Sequence, residues 1–168
     1  MISHHDQAPR PADPPTVERR VVLTAKQRIG VPLIAAVPLL ALLGLFGESS
    51  NTASVRSASL EVRASYPTRF RYRQIQALRV DVRNISRVTL DTVMVSVDTA
   101  YVSRFSSVRF DPAPTAAYVV PLTHLRPGEH GLVSAELWGE QYGRHRGRIT
   151  VTAPGDSVAI SISTFVFP

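Results

Sequence analysis

Two patterns of apolar and polar residues divide this chain near residue 50. From Ile29 to Gly47, nineteen consecutive residues carry no charge and no strongly polar side chain. As a helix with a rise of about 1.5 Å per residue, this run is about 28 Å long, close to the roughly 30 Å hydrocarbon core of a bilayer. The pattern predicts a transmembrane helix over residues 25–47.

Single residues predict where this helix begins and whether another protein lies against it. Thr24 and Gln27 have the spacing of a capping box, which places the first helical residue near Ala25. Pro32 and Pro38 lie inside the run and would break a helix in water. Membrane helices tolerate proline where neighbouring helices satisfy the freed carbonyl groups. We therefore expect Pro32 and Pro38 to contact a partner protein.

Basic residues near the apolar run predict its orientation. Four of them precede the run and one follows it within about fifteen residues, namely Arg19, Arg20, Lys26, Arg28 and Arg56. The positive-inside rule makes residues 1–24 a Pro-rich, basic cytoplasmic tail and places the rest in the bacterial periplasm. A cleaved signal peptide and a twin-arginine export signal are the alternatives. The long polar segment before the run, and the absence of Ala-x-Ala after it, favour an uncleaved anchor.

The pattern changes after a polar segment over residues 48–56, which is predicted to be a linker. Apolar residues then alternate with polar ones, as half-buried strands require. Seven such runs are centred on Val62, Val80, Val95, Val120, Ala135, Val151 and Ile160, and Phe105, Val108 and Phe110 suggest a further short strand. Turn signals such as Asn84-Ile85-Ser86 and Arg126-Pro127-Gly128 separate them. Seven to eight strands at this spacing predict a mainly β fold, an antiparallel β-sandwich over residues 57–168.

Two stretches resemble a known class of module. The stretch Val80–Ser86, followed by Leu90–Val95, resembles the B-to-C hairpin of bacterial immunoglobulin-like surface and adhesion modules. The stretch Leu125–Glu129, followed by Val133–Leu137, is similar to their Leu-x-Pro-Gly-Glu turn and the long strand after it. The resemblance implies an immunoglobulin-like β-sandwich. It implies no single function, because such modules serve as spacers, binders and subunits.

Composition narrows the chemistry that this chain can perform. The 168 residues are 44% hydrophobic and 19% charged, which is ordinary for a globular protein. There is no cysteine, which excludes disulfides, thiolate metal sites and thiol nucleophiles. The net charge of +6 is dispersed along the chain, so we predict no nucleic-acid partner.

Motifs for catalysis and metal binding are missing from the sequence. It contains no Gly-x-Ser-x-Gly, no His-Glu-x-x-His, no phosphate loop and no calcium loop. His124 and His130 flank a turn, but no third ligand has suitable spacing for zinc. His145 lies between Arg144 and Arg146, whose charges oppose metal binding and protonation. We therefore predict a protein that is not an enzyme and has no cofactor or metal.

The most suggestive stretch for binding is residues 138–148, which contains the only tryptophan of the chain. Aromatic and Arg side chains are enriched among interface anchors, so Trp138, Tyr142, Arg144 and Arg146 are predicted to bind a partner. The alternative is a hairpin in which Trp138 caps the core. A second basic and aromatic stretch, residues 66–73, contributes Arg69 and Arg71, which could face lipid headgroups.

These features predict a non-catalytic accessory subunit that anchors to a larger bacterial inner-membrane complex and stabilises it. The layout is similar to that of small accessory subunits of such complexes, for example in photosynthetic reaction-centre and light-harvesting assemblies. The alternative is a membrane-tethered periplasmic module that binds glycan or peptidoglycan through Trp138 and Tyr142. A Trp138 side chain beside an open groove would favour the binding module, and flat contact surfaces would favour the subunit.

Overall fold

A computed structural model describes residues 24–42 and 47–168, apart from the side chains of Ala25, Gln27 and Val37. The chain divides near residue 40 into two compact units. The predicted tail over residues 1–24, including Arg19 and Arg20, lies outside the described residues except for Thr24.

Helix α1 extends over Ala25–Leu42. The backbone N–H of Arg28 donates to the carbonyl of Thr24 at 3.0 Å, which is the first bond of the helix. The helix thus begins where the Thr24 and Gln27 spacing predicted it.

Apolar side chains are exposed on every side of α1. Ile29, Ile34 and Leu42 are 75%, 74% and 84% exposed, and the helical repeat of about 3.6 residues places them on different faces. The two interior prolines, Pro32 and Pro38, are also exposed. This helix therefore has no polar face among its described residues beyond Lys26 and Arg28 at its start.

The predicted spanning helix differs from the observed one at its C-terminal end. Helix α1 ends at Leu42, residues 43–46 lie outside the described part, and Gly47 lies in a bend. Within residues 24–42 and 47–168, no helix is both long enough and apolar enough to cross a membrane.

The rest of the chain forms nine strands and one short helix within residues 47–168, which confirms the mainly β prediction. The elements are β1 (Ser49–Arg56), β2 (Leu60–Arg71), β3 (Ile75–Asn84), β4 (Leu90–Val97), α2 (Thr99–Val102), β5 (Phe105–Asp111), β6 (Val119–Leu125), β7 (His130–Gly139), β8 (Gly143–Ala153) and β9 (Asp156–Phe167). Each predicted apolar run lies in one of β2–β9. The short helix α2 carried no periodic signal, because it is a single turn.

The strands form one sheet in the order β5-β7-β3-β2-β9-β8-β4-β6, and β1 pairs with β2. All pairs are antiparallel except β2 with β9. Residues 60–65 of β2 pair with β3, whereas residues 69–71 pair with β9. Strand β2 therefore joins the two halves of the sheet.

The two halves pack on each other around one core. Inward residues of β2, β3 and β7 lie in the same buried cluster as those of β4, β8 and β9. A Cβ added to Gly131 in β7 would lie 2.7 Å from Leu122 Cδ1 in β6, so the second and the last strand of the sheet order are in direct contact. The sheet is thus curled into a β-sandwich.

The predicted linker over residues 48–56 is wrong, because Ser49–Arg56 form strand β1. This strand pairs with β2 from Ser50 opposite Pro67 to Arg56 opposite Glu61. Only Ser49 and Ala53 are partly buried, and the other side chains are exposed. An edge strand with two solvated faces needs no apolar alternation, so the periodicity that revealed the other strands was missing here.

One end of the sandwich is held by buried or shielded polar side chains, and we call it the polar end. Asn84 is fully buried, and its Nδ2 donates to the carbonyls of Val88 and Leu125 at 2.8 Å each. Its Oδ1 accepts from the N–H and the hydroxyl of Ser86 at 2.9 and 2.7 Å. Asn84 therefore ties the β3–β4 turn to the end of β6.

A carboxylate joins two other turns at the polar end. Asp156 Oδ2 accepts from the hydroxyls of Ser57 and Ser59, both at 2.6 Å, and from the N–H of Ser59 at 2.9 Å. The bonds from Ser57 and Ser59 stabilise the ionised form and lower the pKa of Asp156 to about 2. The β8–β9 turn is thus attached to the β1–β2 connection.

Candidate functional site

The opposite end of the sandwich, which we call the aromatic end, is formed by the β2–β3 turn and the β7–β8 turn. The N–H of Arg73 donates to the carbonyl of Gly139 at 2.8 Å, and the N–H of Gly139 donates to the carbonyl of Gln74 at 3.3 Å. A Cβ on Gly139 would lie 2.6 Å from Cε2 of Phe70, so only glycine fits this position without movement. The two turns therefore form one surface.

This surface brings together the two basic and aromatic stretches that are separate in sequence. The rings of Tyr72 and Tyr142 have centroids 4.7 Å apart and are tilted by 37°. The guanidinium of Arg73 lies 5.3 Å from the centroid of the Tyr72 ring, within the range of a cation–π contact. Tyr142 remains exposed, so the pair can contact a partner.

Trp138 lies on the outer face of the sheet. Its neighbours Leu137 and Gly139 are buried, whereas Trp138 itself is 40% exposed. Its register partners are Ile75 in β3 and Ser107 in β5. The alternative in which Trp138 caps the core is therefore wrong, because the alternation of β7 turns this side chain away from the core.

Three arginines of β8 share the outer face of the other half of the sheet. Arg144, Arg146 and Arg148 alternate with the inward-facing residues of the strand, and all three are exposed. Arg104, which follows α2, donates to Gln141 Oε1 at 3.5 Å and approaches the same face. Strand β8 thus presents a row of positive charge beside α2.

Two adjoining hollows between α2 and β8 share Arg146, and we call them together the arginine groove. Their volumes are about 640 and 390 Å³. Their lining residues are Ser96, Val97, Asp98, Thr99, Ala117, Gly147, Arg148, Thr150 and Ser161 in the larger one, and Ala100, Arg104, Gln141, Tyr142, Arg144 and His145 in the smaller one. Most of these side chains are basic or carry a hydroxyl group, so the groove suits an anion.

Strand β8, which carries the arginines, packs closely against α2. A Cβ on Gly147 would clash with Cβ of Tyr101, so α2 packs directly under β8. The Tyr101 hydroxyl lies 2.8 Å from Thr164 Oγ1, which donates to the carbonyl of Pro67 at 2.7 Å. Desolvation by burial raises the pKa of Tyr101 to about 12, so its hydroxyl stays protonated as a donor.

The histidines have structural or solvent-facing positions. His145 is buried, and its Nε2 lies 2.8 Å from the carbonyl of Gln141. His130 is exposed with Nδ1 2.9 Å from Asp81 Oδ1, and His124 is also exposed. Across residues 24–42 and 47–168, no group of three or more His, Asp or Glu side chains is arranged to hold a metal ion.

The two remaining candidates, Arg69 and Arg71, lie at the end of β2 rather than in the arginine groove. Arg69 Nε donates to Ser49 Oγ at 3.2 Å, next to the start of β1. The Arg71 guanidinium lies 5.9 Å from the centroid of the Phe167 ring at the C-terminal end of β9. Both therefore belong to the aromatic end.

These surfaces also contain Arg148, Tyr72 and Arg104, which were not among the predicted partner-binding positions. Arg148 continues the two-residue spacing of Arg144 and Arg146, so the sequence contained a signal for it. Tyr72 lies in a stretch that sequence reasoning had selected, but its contact with Tyr142 is a tertiary contact. Arg104 has no local signal, because its position depends on the single turn of α2.

Comparison with known proteins identifies no family for this chain. No family model matches it, and no curated protein matches it. Among solved structures, the CARDB domain of a Pyrococcus furiosus protein, solved in complex with di-metal ions, is 15% identical with a TM-score of 0.42. That match covers 69% of this chain and 89% of the CARDB domain.

Two further solved structures share this weak similarity. A β-glucosidase from Listeria innocua is 15% identical with a TM-score of 0.31, and the match covers 73% of this chain but 16% of the enzyme. The GAE domain of GGA2p from Saccharomyces cerevisiae is 10% identical with a TM-score of 0.29, over 70% of this chain and 98% of the domain. Scores this low carry no argument about the function of this chain.

Proposed function

We propose that this protein is a non-catalytic accessory subunit of a larger bacterial inner-membrane complex, in which an immunoglobulin-like β-sandwich on the periplasmic side docks onto its partner. The observation that carries the proposal is helix α1, whose apolar side chains are exposed around its whole circumference. A helix that is apolar on all sides is normally buried in protein or lipid. A photosynthetic reaction-centre and light-harvesting assembly is one example of such a complex.

The prolines of α1 favour a protein neighbour over lipid alone. Pro32 and Pro38 have no N–H, so the carbonyls of Arg28 and Ile34 cannot accept their usual helical bonds. A carbonyl without a hydrogen bond in hydrocarbon costs free energy on the order of several kcal/mol, as other buried polar groups do. A neighbouring helix that supplies hydrogen-bond donors to these carbonyls removes that cost.

The β-sandwich supports a docking role rather than a catalytic one. Its three buried polar side chains are Asn84, His145 and Thr164, and each has a hydrogen-bond partner within the fold. Among the described residues, no buried side-chain nitrogen or oxygen is left without a partner. The polar interior is therefore committed to the fold, and the groups available to a partner are those of the aromatic end and the arginine groove.

The alternative function is a membrane-tethered periplasmic module that binds glycan or peptidoglycan through Trp138 and Tyr142. The positions of the two aromatic residues favour the subunit instead. Trp138 lies on an open sheet face beside Ile75 and does not line the arginine groove, whereas Tyr142 does. A glycan site is a concave surface with convergent polar groups, and the two rings do not share one here.

Site-specific photo-crosslinking in native membranes tests the proposal. A crosslinking residue at Leu33, which is 69% exposed in α1, should capture a specific membrane protein that also co-purifies in mild detergent. The matched control is Val88, which is 63% exposed in the β3–β4 turn at the polar end and should capture no such protein. A chain that runs as a free monomer, with only lipid captured at Leu33, would overturn the subunit proposal in favour of the tethered binding module.

A further inference from the structure

The arginine groove carries an inference about the chemistry of the partner, and this inference rests on the function proposed above. We propose that the groove binds an extended acidic segment of a partner protein, with carboxylates at alternate residues that face Arg144, Arg146 and Arg148.

The spacing of the three arginines along β8 matches an extended peptide. They occupy alternate positions of one regular strand, whose pairing with β9 from Gly143 to Ala153 has no register shift. Alternate residues of a strand lie on one face at intervals of about 7 Å. An extended peptide has the same repeat, so carboxylates at its alternate residues match successive guanidinium groups.

The charges of the groove are available for a ligand. No carboxylate within the described residues forms an ion pair with Arg104, Arg144, Arg146 or Arg148. The one acidic residue of the lining is Asp98, and its Oδ1 accepts from the N–H of Ala100 at 2.9 Å as the N-cap of α2. The groove therefore has a net positive charge.

The neighbours of the arginines complete a polar site. Across β9, Arg146 and Arg148 lie opposite Ser163 and Ser161, and Thr150 continues the same face. Hydroxyl groups donate to carboxylates and accept from peptide N–H groups. Arginine binds carboxylates in bidentate geometry, so a row of arginines beside hydroxyls recognises an acidic peptide rather than a bare ion.

Close packing of β8 against α2 adds to the affinity of such a site. Because Tyr101 packs against Gly147 and is bonded to Thr164, the backbone of β8 and the turn of α2 are held in position before a ligand arrives. A partner then orders only the arginine side chains, which lowers the entropic cost of binding.

The lining favours a peptide over a nucleic acid. Single-stranded nucleic acids bind along successive aromatic platforms on which bases stack. The aromatic ring that lines the arginine groove among its described residues is Tyr142, which lies at one end and already contacts Tyr72. The length of the groove offers guanidinium and hydroxyl groups instead.

The test measures peptide binding by the full chain in mild detergent. The probe is a fluorescent peptide of alternating Glu and Ser residues. The variant replaces Arg144, Arg146 and Arg148 together (Arg144→Gln, Arg146→Gln, Arg148→Gln). Because each exposed ion pair contributes modestly and the variant removes three of them, we expect the three changes to weaken binding about tenfold or more.

The matched control removes the same charge from the other half of the sheet (Arg63→Gln, Arg79→Gln, Arg109→Gln). These residues are exposed on β2, β3 and β5. We expect this control to bind the probe as the unchanged protein does. A probe of the same composition, with its Glu residues in one block, should bind more weakly, because its charges do not match the strand repeat.

Three results would overturn the inference. The first is equal weakening by the two triple variants, which would indicate bulk charge. The second is equal binding of the alternating and the block peptide. The third is tighter binding of an oligothymidylate of equal charge through the same arginines, which would assign the groove to nucleic acid.

Failure of this inference is distinguishable from failure of the subunit proposal. If the chain co-purifies with a membrane complex and the groove variant leaves that complex intact, the acidic-segment inference fails and the subunit proposal stands. If no complex exists, the subunit proposal fails, whatever the peptide measurement shows.

Discussion

The two ends of the β-sandwich use polar and aromatic side chains in opposite ways. At the polar end, Asn84 and Asp156 direct their hydrogen-bonding atoms at neighbouring turns and leave little for a partner. At the aromatic end, Tyr142 and Arg73 contact Tyr72 and keep exposed surface. The difference indicates that one end maintains the fold and the other is available for binding. Substitutions of Asn84 and Asp156 should therefore change stability, and substitution of an exposed aromatic-end residue such as Tyr142 should change retention of the proposed partner.

The largest effect on stability is expected for Asn84→Ala. It removes the donors of the Val88 and Leu125 carbonyls and the acceptor of Ser86. Buried groups without partners cost about 1–3 kcal/mol each, so we expect the free energy of unfolding to fall by about 3 kcal/mol. Urea unfolding of the fragment 41–168 measures this change. Ser54→Ala, at an exposed position of β1, is the control and should have almost no effect; equal losses would contradict the comparison.

A smaller loss is expected for Gly139→Ala at the aromatic end. The added methyl group would lie 2.6 Å from the Phe70 ring, so the ring or the strand must move. Overpacking of this kind costs about 1–3 kcal/mol. Gly143→Ala, where a Cβ meets open space but φ is +108°, separates the steric effect from backbone strain. If Gly139→Ala proved neutral in thermal unfolding, the close packing of the two turns on Phe70 would be wrong.

A still smaller effect is expected at Asp156, and it depends on pH. The pKa of Asp156 is lowered in the folded state to about 2, whereas an unfolded Asp titrates near 3.9. Stability from this group is therefore complete above about pH 4 and is lost as the pH falls through about 2. Melting temperatures measured between these pH values should depend less on pH in Asp156→Asn, because the variant lacks the carboxylate that titrates. An unchanged slope in the variant would assign the acid sensitivity to other carboxylates.

The smallest stability effect is expected for Tyr142→Ala. Its ring is more than half exposed, so the free energy of unfolding should change by about 0.5 kcal/mol or less. Retention of the proposed partner in detergent should nevertheless decrease, because the ring belongs to the exposed part of the aromatic end. Thr123→Ala, an exposed position on β6, is the control for both measurements. A large loss of stability in Tyr142→Ala would mean that the two ends do not differ as described.

Sequence reasoning located the parts of the fold that depend on local alternation. Strands such as β3 and β4 were found because Val80 and Val95 belong to apolar residues at every second position. Strand β1 was missed because its polar residues carry no such period. The Asn84-Ile85-Ser86 turn was predicted, but the bond from Asn84 to Leu125 spans 41 residues and has no local signal.

Only the part of the candidate site that is local in sequence could be predicted. Arg144 and Arg146 stood out because they are close together in sequence beside Tyr142. Their separation from Trp138 onto different surfaces follows from the strand alternation and the turn between β7 and β8. The approach of Arg104 depends on how α2 packs under Gly147, which only the tertiary structure provides.

The pairing of β2 has a mechanical consequence. Ser49, where β1 begins, is the register partner of Arg69, and Arg69 is also the partner of Phe165 near the end of β9. Both ends of the domain's chain therefore meet at the aromatic end. Tension applied to the chain before Ser49, and resisted by a partner held at that same end, would act first on the pairing of β1 with β2 and on the two turns of the aromatic end. The turns at the polar end lie at the far end of these strands, so they would be loaded last.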